Sequence, residues 1–467
     1  MAIELPADLL QSLQGIRGFN QPAFEQVHAS GGQITSIRVN PARQSATAGE
    51  WQPGGFDPAA LTPVPWSRYG FYLPERPSFT FDPLFHAGTY YVQEASSMFL
   101  EQALLQTTDT SKKLRVLDLC AAPGGKSTHL QSLLSPDSLL VSNEVIRTRA
   151  AILEENLVKW GAANVIVTNN DPQDFARIPG FFDVLVIDAP CSGSGLFRRE
   201  PEAIREWSPQ AVQLCCQRQQ RILAESFTAL ADEGLLIYST CSYSVEEDED
   251  ILDWLMDTFQ LETVPLQTEP DWGIVPVQSA LHQAAGYRFF PDKIKGEGFF
   301  LACFRKKEGD RYASRSPKKA PLVKAGKAEA AVVQPWLRQA GDWQFWKQQE
   351  LILAFPTNLE QELLTIADKF YIRSAGITLG KIAGKDLVPE HALALSGLLA
   401  PEIVAVSLKK AEALQYLRKE PLELAATTKG WALVQYAGFS LGWVKLLPNR
   451  VNNYYPSAWR ILKSGNN

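Results

Sequence analysis

Cysteine and histidine are scarce. The six cysteines, at positions 120, 191, 215, 216, 241 and 303, include no Cys-x-x-Cys pair, and the five histidines lack metal-ligand spacing. A disulfide framework and a zinc-held fold are disfavoured, so a reduced, cytosolic, metal-free protein is expected. No stretch approaches the ~18 uninterrupted apolar residues of a membrane helix. The opening Met1-Ala-Ile-Glu-Leu-Pro lacks a basic region followed by an apolar one, so no secretion signal is read. No tandem repeat is visible. Two phosphate-binding signatures are also missing. Gly125-Lys126-Ser127 could end a P-loop, but its first glycine would fall on Cys120, and no Gly-x-Gly-x-x-Gly occurs.

What is present is a long chain with an uneven charge. At about 150 residues per domain, 467 residues predict two to four domains. Net charge is -6, which at first argues against a polyanionic partner. Residues 305–330, however, carry nine Lys/Arg against three Asp/Glu, and 331–467 carry fifteen against eleven. The first 304 residues therefore hold -16. A basic rear portion on an acidic body is an electrostatic footprint for nucleic acid, and equally the pattern of a solvated basic linker.

Read in order, the first 80 residues mix a helix over Pro6–Ile16 with an alternating strand over Gln33–Val39 that Asn40-Pro41 ends. Val64–Phe85 is aromatic and proline-rich and should lie extended; Tyr90–Leu105 reads as a helix. Strands are then predicted at Leu114–Cys120, Ser138–Glu144, Asn164–Asn170, Asp183–Asp188 and Leu235–Thr240, with a last one at Gly298–Phe304. Helices fall between them at Gly125–Leu134, Val145–Trp160 and Gln210–Ala231. The acidic run Glu246–Asp250 reads as a helix start that complements the dipole, not as a metal site. This alternation predicts a mostly parallel sheet with helices on both faces, and ligands beyond the carboxyl ends of its strands. Residues 305–330 look like a linker, and a glycine-punctuated, strand-rich portion follows.

The residues at the strand ends carry the chemistry. Leu114–Leu119 is an apolar strand ending near Asp118, and the small-residue turn Ala121-Ala122-Pro123-Gly124-Gly125 leads into a helix. An acid followed by a loop with few phosphate-binding features suits a cofactor without a pyrophosphate, such as S-adenosylmethionine. Glu144 ends the second strand 26 residues after Asp118, where an accessible carboxylate can accept from two ribose hydroxyls, or simply serve as an acid at a helix N-terminus. Asp171 ends the third and could meet an adenine amino group, or simply hold a turn. Asp188-Ala-Pro-Cys191 ends the fourth and Ser239-Thr-Cys241 the fifth, so two thiols reach one edge of the sheet. An aspartate after four apolar residues also describes a magnesium-binding strand, but the broken P-loop and the nearby thiol weigh against it. A thiolate that adds to carbon 6 of a pyrimidine makes carbon 5 nucleophilic enough to take a methyl group. Sequence alone does not rank Cys191 and Cys241. Cys215, Cys216 and Cys303 read as structural.

Three stretches closely resemble the NOL/NOP/Sun family of RNA cytosine-5 methyltransferases: Asp118-Leu-Cys-Ala-Ala-Pro-Gly-Gly-Lys126, Asp188-Ala-Pro-Cys-Ser-Gly193 and Ser239-Thr-Cys-Ser-Tyr243. Gly296-Glu-Gly-Phe-Phe-Leu-Ala302 is similar too, and the likeness spans roughly residues 36–305. It implies an α/β fold, a seven-stranded Rossmann-like methyltransferase sheet with one antiparallel strand. By resemblance, Cys120, Ala121, Ala122, Pro123, Gly124, Gly125, Lys126, Glu144, Asp171 and Asp188 contact S-adenosylmethionine. Cys241 is then the nucleophile, Cys191 assists release, and Asp188 and Lys126 complete the catalytic set. Gly376-Ile-Thr-Leu-Gly-Lys-Ile and Leu441-Gly-Trp-Val-Lys resemble the PUA-like tail of the F-type branch acting on small-subunit rRNA. The implied layout is an RNA-recognition-like module over 1–80, the methyltransferase domain over 81–305, a basic linker over 306–330 and a PUA-like domain over 331–467. A cytoplasmic monomer with no membrane partner is expected, acting on rRNA, within the 30S subunit or free. A tRNA substrate, a P-loop-like NTPase and a catalytically silent assembly factor remain as alternatives.

Overall fold

A computed structural model of the chain describes residues 4–43, 53–312, 322–424, 429–463 and 465; the middle of the basic stretch, 313–321, lies outside them. The N-terminal residues form a four-stranded antiparallel sheet of β1 (Thr35–Val39), β2 (Thr62–Pro63), β3 (Gly70–Leu73) and β4 (Tyr90–Val92), in the order β2-β3-β1-β4. Two short helices, Ala7–Ser12 and Gln21–Ala29, precede it.

Two elements here differ from expectation. Tyr90–Val92 is a strand, because this aromatic and β-branched triplet pairs with β1. The expected helix over Tyr90–Leu105 starts later. The Glu94 carboxylate accepts from the backbone N–H groups of Ser96 and Ser97, opening a 3-10 turn that becomes the helix Leu100–Thr107. The aromatic segment 64–85 is extended only in part: it contains β3, and its Trp66 donates from Nε1 to the Ala95 carbonyl at 2.7 Å, but Phe79–Phe81 is a 3-10 turn and the helix Pro83–His86 begins within it.

The central sheet uses β5 (Arg115–Asp118), β6 (Leu139–Asn143), β7 (Val165–Thr168), β8 (Phe182–Asp188), β9 (Leu230–Thr240), β10 (Leu261–Thr263), β11 (Val275–Gln278), β12 (Ala285–Phe289) and β13 (Phe299–Lys306). Seven of these run in the order β7-β6-β5-β8-β9-β13-β12, with β13 antiparallel to both neighbours. This is the expected methyltransferase arrangement. Alternate residues serve opposite faces: Leu117, Leu185, Ile187, Leu236 and Tyr238 join one core, and Val116, Val184, Val186, Leu235 and Ile237 the other. Burial on both faces explains why these strands read as continuous apolar runs. Each such side chain is worth ~1.5–3 kcal/mol of transfer free energy. The predicted helix Gln210–Ala231 spans Pro209–Ser226 instead, because Leu230 and Ala231 already belong to β9.

The sheet has ten strands in all, with β10 and β11 beyond the seven and a tenth, Ile372–Ala375, from far down the chain. Ile372–Ala375 pairs antiparallel with β7. Residues 322–463 otherwise build a five-stranded sheet ending at Asp386–Pro389 and a four-stranded sheet from Ala405–Ser407 to Arg450–Asn453. Inside the stretch read as a linker, Val323–Lys324 is a strand and Lys327–Val333 a helix.

Candidate active site

The loop after β5 is held from outside. The Arg149 guanidinium donates to the Ala122 carbonyl at 2.9 Å and Asn156 Nδ2 to the Pro123 carbonyl at 2.8 Å. Arg38, fully buried on β1, donates to the Gly125 carbonyl at 3.3 Å and lies over the Trp160 ring. The N-terminal sheet thus braces the loop. Gly124 turns the chain at φ +114°, a conformation that side chains disfavour, and the helix Gly125–Leu133 follows.

Beneath the loop, Asp118 is fully buried, accepting from Ser127 Oγ at 2.7 Å while its Oδ1 has no partner among the described residues. Burial, reinforced by Asp188, pushes its carboxyl up to about 7 against the Ser127 bond. Cys120, next to it, is also pushed up by burial. Lys126 Nζ meets Asp188 Oδ2 at 2.8 Å, and Ser239 Oγ donates to Asp188 Oδ1 at 2.9 Å. Burial works against the Lys126 charge, but Asp188, helped by Asp118, offsets it, and the ammonium is held above its usual range.

Glu144 departs from expectation. Only 3 % exposed, it accepts from the Ile146 N–H at 2.9 Å and faces Arg149 at 3.4 Å. The accessible strand-end carboxylate read from the sequence is instead a buried one, because the helix Arg147–Trp160 begins over it. Asp171 caps the 3-10 turn Pro172–Arg177, accepting from the Gln173 N–H at 3.2 Å, so its turn role is realised.

The two strand-end thiols meet. Cys191 Sγ lies 2.8 Å from Cys241 Sγ, and both cysteines are free. The bond to Cys241, together with burial, holds the Cys191 thiol well above its ordinary range. Their loops are stitched side by side: the Gly195 N–H donates to the Cys241 carbonyl at 2.8 Å and the Gly298 N–H to the Gly195 carbonyl at 2.9 Å. A Cβ on Gly195 would sit 2.4 Å from the Gly298 oxygen, so only glycine fits this crossing.

Sequence reasoning missed the group that clamps these loops. Glu247, fully buried, accepts from the Ser192 N–H at 2.8 Å, Ser242 Oγ at 2.6 Å and Gln219 Nε2 at 3.0 Å. Burial raises its carboxyl despite those bonds. Beside it, buried Arg288 pairs with Asp248 at 3.1 Å and with Glu249. The acidic run is therefore more than a helix start: three of its members work inside the protein. Its density of acids was the available signal. No group of three or more potential metal ligands occurs among the described residues, and none of their helices is long and apolar enough to cross a membrane.

Comparison with known proteins places the chain in a family. Residues 104–305 match the family model of the 16S rRNA methyltransferase RsmB/F, residues 5–95 the N-terminal domain of 16S rRNA methyltransferase RsmF, and 404–461 the methyltransferase RsmF PUA domain. Ribosomal RNA small subunit methyltransferase F of Cronobacter sakazakii is 32 % identical over 90 % of this chain and 89 % of its own. The Escherichia coli protein of that name is 30 % identical over 85 % and 84 %. Among solved structures, a methyltransferase homolog from Pyrococcus horikoshii is similar with a TM-score of 0.50 and 27 % identity, covering 65 % of this chain and all of that one. NSun6 from the same organism, crystallised with the S-adenosylmethionine analogue SFG, shares the fold at a TM-score of 0.52 and 17 % identity, covering 65 % and 98 %. With two relatives at or above 30 % identity along most of their length, the chain belongs to the ribosomal RNA small subunit methyltransferase F family.

Proposed function

We propose that this protein transfers a methyl group to carbon 5 of a cytosine in 16S rRNA through a covalent cysteine adduct. One observation carries the reading: two free thiols in contact at the ends of adjacent strands, beside a lysine–aspartate pair. Supporting S-adenosylmethionine as the methyl source, Asp118 keeps a buried, unpartnered carboxylate oxygen under the loop, as an acceptor for the cofactor's ammonium would. The backbone from Cys120 through Gly125, with Lys126, Glu144, Asp171 and Asp188, would hold the rest. When bound, that cofactor supplies an electrophilic methyl on a sulfonium. The chain's own residues do the remainder. Cys241, as thiolate, adds to carbon 6, and the displaced ring electrons make carbon 5 the attacking atom. Asp188 and Lys126 bind the base edge and stabilise the charge that develops there. After transfer, the carbon 5 proton passes to water, the carbon 5–carbon 6 double bond re-forms, and the Cys241 sulfur leaves, its departure assisted by the neighbouring Cys191 thiol. The C-terminal residues 404–461 would grip the RNA. Tritium counting from labelled S-adenosylmethionine into 30S subunits, free 16S rRNA and tRNA tests the assignment. Incorporation into 16S rRNA as 5-methylcytosine is expected; label confined to tRNA would overturn the substrate.

A further inference from the structure

The tenth strand has a consequence for the cofactor site. It begins beside Asn169 and Asn170, the two residues before Asp171. The Asn170 side chain closes a two-way clasp on Tyr371: its Nδ2 donates to the Tyr371 carbonyl at 3.0 Å, and its Oδ1 accepts from the Tyr371 N–H at 3.0 Å. The Asn169 N–H donates to that same carbonyl at 3.3 Å. Asn169 in turn reaches the second strand end, its Nδ2 donating to the Glu144 carbonyl at 2.5 Å and the Val145 carbonyl at 2.9 Å. A continuous chain of bonds therefore runs from Tyr371 to both strand ends.

The attachment is firm on its far side too. Phe370 packs on Phe175 with ring centroids 4.7 Å apart, and Arg373 Nε donates to Glu154 at 2.5 Å, on the helix that follows Glu144. Near the clasp, three large side chains stay in the open: Val145 at 52 %, Ile146 at 48 % and Tyr371 at 62 % exposure. An exposed apolar pair after one strand end and an exposed aromatic ring beside the next suit a flat heteroaromatic ligand.

We infer that Asn170 and Tyr371 are positioning residues of the cofactor site, through which the C-terminal region completes its adenosine side. This rests on the reading that Glu144 and Asp171 hold S-adenosylmethionine. Asn170 fixes the backbone beneath Asp171, and the Tyr371 ring bounds the adenine from the C-terminal side.

Calorimetric titration of the full-length protein with S-adenosylhomocysteine tests this. Asn170→Ala should weaken binding about tenfold and Tyr371→Ala several-fold, the cofactor KM rising while kcat and RNA affinity stay level. Asn170→Asp keeps the acceptor and the shape, so it folds if the alanine variant does not, and should lose part of the affinity. An unchanged dissociation constant in Asn170→Asp and Tyr371→Ala overturns the inference, as does a parallel fall in melting temperature, RNA binding and cofactor binding. If those two bind normally while Glu144→Ala binds weakly, only this inference fails. If wild type takes up no S-adenosylhomocysteine, the cofactor reading fails with it.

Discussion

Cys191 accepts a hydrogen bond through its sulfur from the backbone N–H of Cys241, at 3.3 Å, while the two sulfurs stand 2.8 Å apart. The bond to Cys241, together with burial, raises the Cys191 thiol well above its ordinary range. Cys241→Ala should abolish both methylation and any covalent protein–RNA species. Cys191→Ala should still form the adduct but release it slowly, leaving a protein–RNA band on denaturing gels. A stable band with Cys241→Ala and none with Cys191→Ala would reverse the roles.

Glu247 should matter to the thiols without touching substrate. Hydrogen bonds to an ionised carboxylate are worth ~1.5–3 kcal/mol each, and Gln in its place would set an amide against donors. Glu247→Gln should slow adduct formation by about ten- to a hundredfold and leave cofactor affinity unchanged. Single-turnover kinetics at saturating cofactor measure this; an unaltered rate would remove Glu247 from the positioning of the loops.

Asp118 predicts a pH dependence. Its carboxyl is raised from the ordinary value of 3.8 to about 7, so the folded state holds the proton that the unfolded state has given up. Its contribution to stability is full below pH 4 and is lost as the pH climbs to about 7. At ~1.4 kcal/mol per unit, the loss is at most about 4 kcal/mol. Asp118→Asn should flatten this slope in denaturant melts between pH 4.5 and 8, while weakening S-adenosylmethionine binding. A slope unchanged by the substitution would count against the assignment.

Near the C-terminus, Lys445 lies 5.2 Å over the Trp431 ring, which meets Tyr454 edge-on at 4.5 Å. A cation beside half-open aromatics suits stacked bases and a phosphate. Trp431→Ala should cost ~1–3 kcal/mol of RNA affinity. Lys445→Ala should reduce the log–log salt slope by about 0.7–0.9. Filter binding at several salt concentrations reads both, and an RNA affinity unmoved by either substitution would place the contact surface elsewhere.

The sheet was legible because both its faces are buried, which turned its central strands into apolar runs with a candidate site residue such as Asp118, Asp188 or Cys241 at the end. The thiol pair followed from topology, since β8 and β9 are parallel neighbours whose carboxyl ends must share an edge. The partners of those residues were not legible. Glu247 reaches Ser192 across 55 positions and Arg38 reaches Gly125 across 87, and no local pattern marks such bonds. Tyr90–Val92 shows the converse: helix-like spacing gave way to pairing with β1. Glu144 was singled out by its position at a strand end, yet its burial comes from the helix start above it.

The tenth strand also sets an order of events as the protein is made. Asn170 and Tyr371 are separated by 201 positions, so the β7 edge has no partner while the intervening chain is being synthesised. Contacts this distant form late, and an unpaired strand edge invites wrong pairing. The nascent enzyme must carry an open sheet edge until residues 371–375 have emerged, and only then can its catalytic layer close.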